Sequence, residues 1–413
     1  MKTKQLQNML TAIAALFIAT FVLPISANAT TNYGIIVGNT PVSTDNYNNI
    51  TGDYIKPYYS SLPCKVYYAP SIKTLYLENV RIERSGSNNR CIINKNCDGL
   101  TVVFKGDNYL FAKNASAIRC YKNTTLKQAT GASVTVSSTD QEAIFACNKA
   151  LLTIKNGIFN CASDKKAMIG GDGKEILELD NTMIIGSTNS DLEFIVYDFA
   201  KVVLLNSKIM GKTSTSSTPV VGIGVNSRSG TVIEVWGTNE IETYNDGIRI
   251  NARTTITGGG TLKITSEESS AISTFGPQLT IDGCTVKVKG EWGIKGDYVF
   301  KGPLAFKNAN VRVNAFKACI SCINALTLDG CAITQPSGAA FSTSLYGVAR
   351  GGTLVEGMVV VISNGATGIA SPTVDIPAKK HGIYTMQGVK MQGEFDSLPA
   401  GIYIVDGRKV VKH

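Results

Sequence analysis

The stretch from Asp246 to Asp297, DGIRINARTTITGGGTLKITSEESSAISTFGPQLTIDGCTVKVKGEWGIKGD, holds one unit and its repetition. A short strand with Ile248 and Ile250 recurs at Ala271-Ile272 and again at Gly293-Ile294. Between recurrences come an apolar-x-apolar run (Leu279, Ile281), a glycine and a second alternating run (Val286, Val288). Apolar residues two apart share one face of a strand, and nothing here follows the 3.6-residue spacing of a helix. The unit is a coil of short strands joined by turns.

Working outward, Asn79, Gly106, Gly131, Asn156, Asn181, Asn206, Gly237, Gly258, Gly283, Asn308 and Gly330 recur at a step of about 25 residues. Gly and Asn are the residues that enter φ > 0 most readily, so this column predicts a left-handed turn in every coil. A second column in step with it, Ile92, Ile118, Ile144, Met168, Ile195, Ile223, Ile248, Ile272, Ile294, Ile320 and Phe341, predicts the core. Residues two further on (Cys120, Ala146, Val225, Ile250, Cys322) point inward with it. The fold class is all-β: a single-stranded parallel β-helix of about eleven coils, roughly 50 Å long at about 4.8 Å per coil, with a small C-terminal β-hairpin module.

The rest of the chain divides around that solenoid. Residues 1–29 read as a secretory signal peptide. Lys2 and Lys4 precede an apolar run from Met9 to Leu23 too short to span a bilayer, and Ala27-Asn28-Ala29 is a small-x-small cleavage signal. The mature chain is expected to be secreted, periplasmic or at the cell surface, with no transmembrane segment. Residues 30–72, rich in tyrosine, are expected to cap the first coil, because a bare solenoid end exposes unpaired strand groups. The parallel β-helix takes 73–345, a cap and linker 346–380, and two hairpins 381–413, turned at Gln387-Gly388 and Asp406-Gly407.

Formal charge is +9, and the two leader lysines account for part of it. The remaining Lys and Arg are scattered without a basic run, which excludes a nucleic-acid binder of the usual kind and suits an anionic glycan or surface. The ten cysteines fall mostly on inward positions and read as buried apolar residues; Cys64, Cys91 and Cys97, near the N-terminal end, are where a disulfide staple is expected.

The coil region resembles the carbohydrate-binding right-handed parallel β-helix family related to polysaccharide lyases, through units of the form Gly-Ile…Leu-Thr-Ile-x-Gly that are clearest at 246–296. The resemblance implies binding of plant polysaccharides, pectic acids among them, with calcium held by Asp-rich turns. Asn245-Asp246-Gly247-Ile248 is the turn that matches the acidic form, which makes Asp246 the candidate metal ligand. One carboxylate per turn is a poor calcium site, since calcium takes six to eight oxygens. The tail, with Ser397-Leu-Pro-Ala-Gly-Ile-Tyr403 between its hairpins, resembles the C-terminal modules of proteins exported by the type IX secretion system, which implies an export-machinery or cell-surface partner.

Catalysis by β-helix hydrolases or lyases needs close aspartates, or a base beside calcium-bound carboxylates. Gly247-Ile248-Arg249-Ile250 is similar to a substrate-binding motif of the hydrolases, and Arg249, Lys295, Asp246 and Asp297 are the charges that could converge beside it, although Arg249 and Lys295 are two coils apart and strain a shared small site. There is no Asp-Asp pair and the histidines, His381 and His413, lie in the tail, so no catalytic residue is assigned. The binding residues expected instead are Lys263, Lys287 and Arg312, each between two inward apolar residues on successive coils, with Trp292 offering a ring face to a sugar and Arg249 and Lys295 beside it. Glu242 is expected to share the column and pair with Lys263. Phe145, Ile169 and Val196 are expected to form an outward apolar strip. The functional expectation is a secreted, non-catalytic binder of an acidic or plant-type polysaccharide; the alternatives are an adhesin or spacer, and a pectin-degrading lyase or hydrolase.

Overall fold

The computed structural model describes residues 30–189, 193–211, 220–363, 383–385, 398–399, 401–405 and 408–412; the signal-peptide reading of 1–29 and the turns expected at Gln387-Gly388 and Asp406-Gly407 lie outside them. Two compact units divide after Asn364. The first is a parallel β-solenoid of about ten turns.

One coil shows the construction. Ile248–Ile250 lies on a short face, Thr254–Thr257 on a leading face and Thr261–Ser266 on a trailing face. Each strand pairs in parallel with its counterparts on the next coils. Ile248 is in register with Ile272, Ile294 and Ile320. Ile256 follows Ile281 and Phe306 on the leading face, and Ile264 follows Val288 and Val313 on the trailing face. Ile248, Ile250, Ile256, Leu262 and Ile264 are all at most 1% exposed, each worth about 1.5–3 kcal/mol of apolar burial. That burial exists only between neighbours, because a lone coil has nothing above or below it.

All eleven positions of the Asn/Gly column have positive φ, from +44° at Asn308 to +114° at Gly258. The asparagines are more than tolerated there. Asn79, Asn206 and Asn308 reach over the next coil, and a Cβ placed on Gly106, Gly237 or Gly330 would lie 2.0–2.1 Å from their carboxamide oxygens. In these three steps the glycine leaves the space that the asparagine carboxamide of the preceding coil occupies.

The core column is corrected in two rungs. The short-face ladder runs Ile144, Ile169, Val196, Ile223, so Ile169 and Val196 hold the places expected of Met168 and Ile195. Both are 0% exposed, which removes the outward strip with Phe145. The slip arises because the corner residue preceding each rung, Ala143, Met168 and Ile195 among them, is also fully buried, so two adjacent apolar residues compete for one place in the pattern.

Three antiparallel strands meet the first coil, one per face. Asn32–Val37 pairs with Ile92–Asn94, Ile55–Pro57 with Val80–Arg84, and Lys65–Ala69 with Thr74–Glu78. No parallel edge is left bare there. At the other end, Gly357–Ser363 inserts antiparallel between Asn310–Ser321 and Cys331–Gln335. Ala340–Ser342 turns away into a small antiparallel sheet with Gly347–Arg350, so Phe341 does not extend the Ile320 column and the eleventh coil is incomplete. In the second unit Gly401–Val405 pairs antiparallel with Ile383–Thr385 and with Arg408–Lys412.

All ten cysteines are free and nine are buried. The expected N-terminal staple is absent: Cys91 Sγ faces the carbonyls of Ile82 and Phe111, and Cys97 Sγ sits 3.5 Å from the Tyr68 hydroxyl. Burial pushes the thiols of Cys120, Cys161 and Cys284 up to about 12, so they stay protonated and pack as small hydrophobes. No helix among the described residues is long and apolar enough to cross a membrane.

Candidate functional site

On the trailing face, Leu262 and Ile264 point in and Lys263 between them points out; the same alternation places Lys287 and Arg312 directly above it. Neighbouring strands lie about 4.8 Å apart, so the three cations form a row. All three are exposed, as is Lys289 two residues along the strand from Lys287.

The row is not uniform. Lys263 Nζ lies 2.9 Å from Glu240 Oε1, and Glu240, not Glu242, is the residue beneath it in the ladder. Glu242 is two residues aside, opposite Thr265, and its ion-pair partner is Lys208 at 2.6 Å. The misassignment has a clear origin. The inward place corresponding to Leu262 is held by a polar residue, Asn239, fully buried because its carboxamide donates to Trp236 O and accepts from Ser207 N. The Lys263 ammonium, hydrogen-bonded to Glu240, holds that carboxyl below its usual range. Lys208, Glu240 and Lys263 thus neutralise one another in part. Among the described residues, Lys287, Lys289 and Arg312 have no carboxylate within ion-pair distance.

Arg249 and Lys295 lie on the short face in one outward column, separated by Ser273 and therefore two coils apart. Asp246 does not face solvent. At 2% exposure, its carboxylate accepts from Arg249 Nε at 2.9 Å, from the hydroxyls of Ser269 and Ser273 at 2.7 Å each, and from Ser270 N at 3.3 Å. Arg249 Nη2 is a further 2.8 Å contact. Donors take up both oxygens, which makes Asp246 a clamp between coils and a poor fit for calcium. Among the described residues no group of three or more His, Cys, Asp or Glu has metal-site geometry. Arg249 is correspondingly fixed, its guanidinium 5.6 Å from the Phe275 ring centroid.

Trp292 joins the two faces, because the strand Thr285–Gly296 carries Lys287, Lys289, Trp292 and Lys295 in turn. Lys295 Nζ lies 4.4 Å from the Trp292 ring centroid and Lys317 Nζ 5.6 Å, so the indole is held between two ammonium groups. Asp297 serves the turn that follows: the amides of Phe300 and Val299 bond its carboxylate and hold it below the usual range.

A second polar cleft had no counterpart in the sequence reading. Asp172, Lys174, Asp198, Ser227 and Arg228, from three successive coils, line a cavity of about 600 Å³. Glu175, next in the chain after Lys174, is fully buried, and its carboxylate accepts from the backbone amides of Lys149, Asp172 and Lys174 at 2.8–3.1 Å. Burial pushes Asp198 up, and Asp172 and Glu175 add to it; burial also pushes Asp172 up, with Glu175 beside it. Asp198 stands at φ +61°, and its Oδ1 is buried with no hydrogen-bond partner. The signal that could have found it is the displaced acid at each corner, Asp172 and Asp198, one coil apart.

No family model matches the chain, and no curated protein or solved structure matches it either.

Proposed function

We propose that the solenoid binds an extended acidic polysaccharide on the trailing face of its late coils. The observation that carries this reading is the uncompensated part of the cation row: Lys287 and Arg312 stand one above the other, and among the described residues neither has a carboxylate within ion-pair distance. At about 5 Å in water-like dielectric, two such charges repel by roughly 1 kcal/mol, which an anion lying across the row converts into attraction. Upstream on the same face Glu240 lies within ion-pair distance of both Lys208 and Lys263, a neutralisation that Lys287 and Arg312 lack. The export expected from residues 1–29 would bring the chain to such a ligand.

Affinity electrophoresis in gels containing polygalacturonate, neutral glucan or no polymer tests this. Retardation by the acidic polymer alone, weakened by salt, is expected. A Lys263/Lys287/Arg312 triple Ala variant should lose it. Lys287→Ala or Arg312→Ala should cost more than Lys263→Ala, whose charge Glu240 already answers. Equal mobility in all three gels refutes the reading and leaves the rod as a spacer.

A second reading rests on the Asp172–Asp198 cleft. A carboxyl whose proton is retained above the usual range, next to a second carboxyl, is the acid and base equipment of glycoside hydrolysis. Release of reducing ends from an oligosaccharide panel, abolished by Asp198→Asn, supports it; a panel left intact by the wild type removes it.

A further inference from the structure

The trailing face does not end at Lys289. Beyond it the chain turns a corner, and there a groove of about 620 Å³ opens, lined by Glu267, Glu268, Lys289, Glu291, Phe316 and Lys317. Phe316 is 88% exposed, on the same strand as Arg312. A phenyl ring held almost wholly in water contributes nothing to the core, so its apolar face is available to a ligand.

The charges of the groove differ from those of the row. Lys317 is ion-paired with Glu291, and Glu268 accepts from the Tyr244 hydroxyl. Three carboxylates face two ammonium groups here, whereas Lys287 and Arg312 face none. A second anion is therefore unwelcome in the groove. An uncharged pyranose fits: its C–H face can lie on Phe316 while its hydroxyls donate to the glutamates and accept from Lys289. Arg312 and Phe316 are four residues apart, about 13 Å of strand before the corner bends it, a span of the order of two linked sugar rings.

We infer that the groove beside Phe316 holds an uncharged sugar whose acidic neighbour lies on Lys287 and Arg312, so that the ligand alternates a uronate with a neutral sugar and is not a plain polyuronate. This rests on the cation-row reading above and adds the repeat of the polymer to it.

The experiment compares binding of the mature protein to polygalacturonate, in which every unit is charged, with binding to hyaluronan and to a rhamnogalacturonan backbone, in which charged and neutral units alternate. At least one alternating polymer should bind about tenfold more tightly than polygalacturonate, as expected for one well-placed aromatic anchor. Phe316→Ala should abolish that preference and leave polygalacturonate binding unchanged; the side chain is exposed, and an unaltered Tm confirms the fold. Lys287→Ala/Arg312→Ala should weaken all the anionic polymers together. Equal affinities, or a preference that survives Phe316→Ala, overturn the inference while the cation row stands. Failure of every anionic polymer to bind overturns the row and the inference with it.

Discussion

Gly237→Ala tests whether the Asn206 carboxamide occupies the space that a side chain on the next coil would need. Gly237 has φ +66°, and a Cβ there would lie 2.0 Å from Asn206 Oδ1 and 2.8 Å from its Cγ. Gly283 has φ +69° and nothing within 4 Å of the same point. An alanine at either site takes on the left-handed backbone, about 1–2 kcal/mol, less about 0.4–1 kcal/mol regained from a stiffer unfolded chain. Gly283→Ala should therefore cost roughly 1 kcal/mol. At Gly237 the Asn206 side chain must also swing away, which breaks its bond from Thr238 N at 3.2 Å, worth about 1 kcal/mol, and leaves residual crowding of similar size. The total is roughly 2–3 kcal/mol. Chemical denaturation followed by far-ultraviolet circular dichroism measures both. In the background of Asn206→Gly, the excess cost of Gly237→Ala should vanish, giving a coupling of roughly 1–2 kcal/mol in a double-mutant cycle. Equal losses at Gly237 and Gly283, or strict additivity with Asn206→Gly, refute the reasoning.

Asn181→Val, at φ +48° on the same column, should destabilise by roughly 1–3 kcal/mol in the same assay because a β-branched residue resists that conformation, while Thr280→Ala on the outer surface should be nearly silent. Asp198 titrates above the usual carboxylate range because burial and its acidic neighbours favour the proton, so its contribution to stability is intact below the unfolded value near 3.8 and falls as pH rises through the folded one. Asn tolerates the left-handed φ at this site, and Asp198→Asn should accordingly raise Tm at neutral pH and lose that advantage as pH falls toward 4; a constant difference across the range contradicts the assignment. Deletion of Gly382–His413 should leave the Tm of the solenoid unchanged, since the two units divide after Asn364, and should abolish surface delivery in the native host if the tail is a sorting element.

Whether a position is legible in the sequence depends on whether backbone or neighbours constrain it. The Asn/Gly column was readable at all eleven places because φ > 0 admits few residue types, and that restriction travels with the residue itself. The row Lys263, Lys287, Arg312 was readable because strands alternate, so a cation between two inward apolar residues must face out. The Glu240 partner was not, since Asn239 fills an inward place with a polar side chain whose hydrogen bonds only the fold supplies. Corners resisted for the opposite reason. There two successive residues are buried, alternation stops, and Met168 cannot be told from Ile169 by hydrophobicity.

The same distinction explains where candidate chemistry was missed. Asp246 stood out as an acid beside a turn, yet its carboxylate is spent on Arg249 and two serines from the next coil. Asp172 and Asp198 carry no local signal in the sequence, because what alters them is each other, and Glu175, brought together by the coil step. In a solenoid the strands are periodic and announce their faces. The corners are where the period drifts, residues are inserted, and side chains from separate coils converge without a shared motif. Both clefts described here, the one at Asp198 and the one beside Phe316, lie at such corners. A variant series directed at corner residues is therefore the more informative search for function in this chain than one directed at the strands.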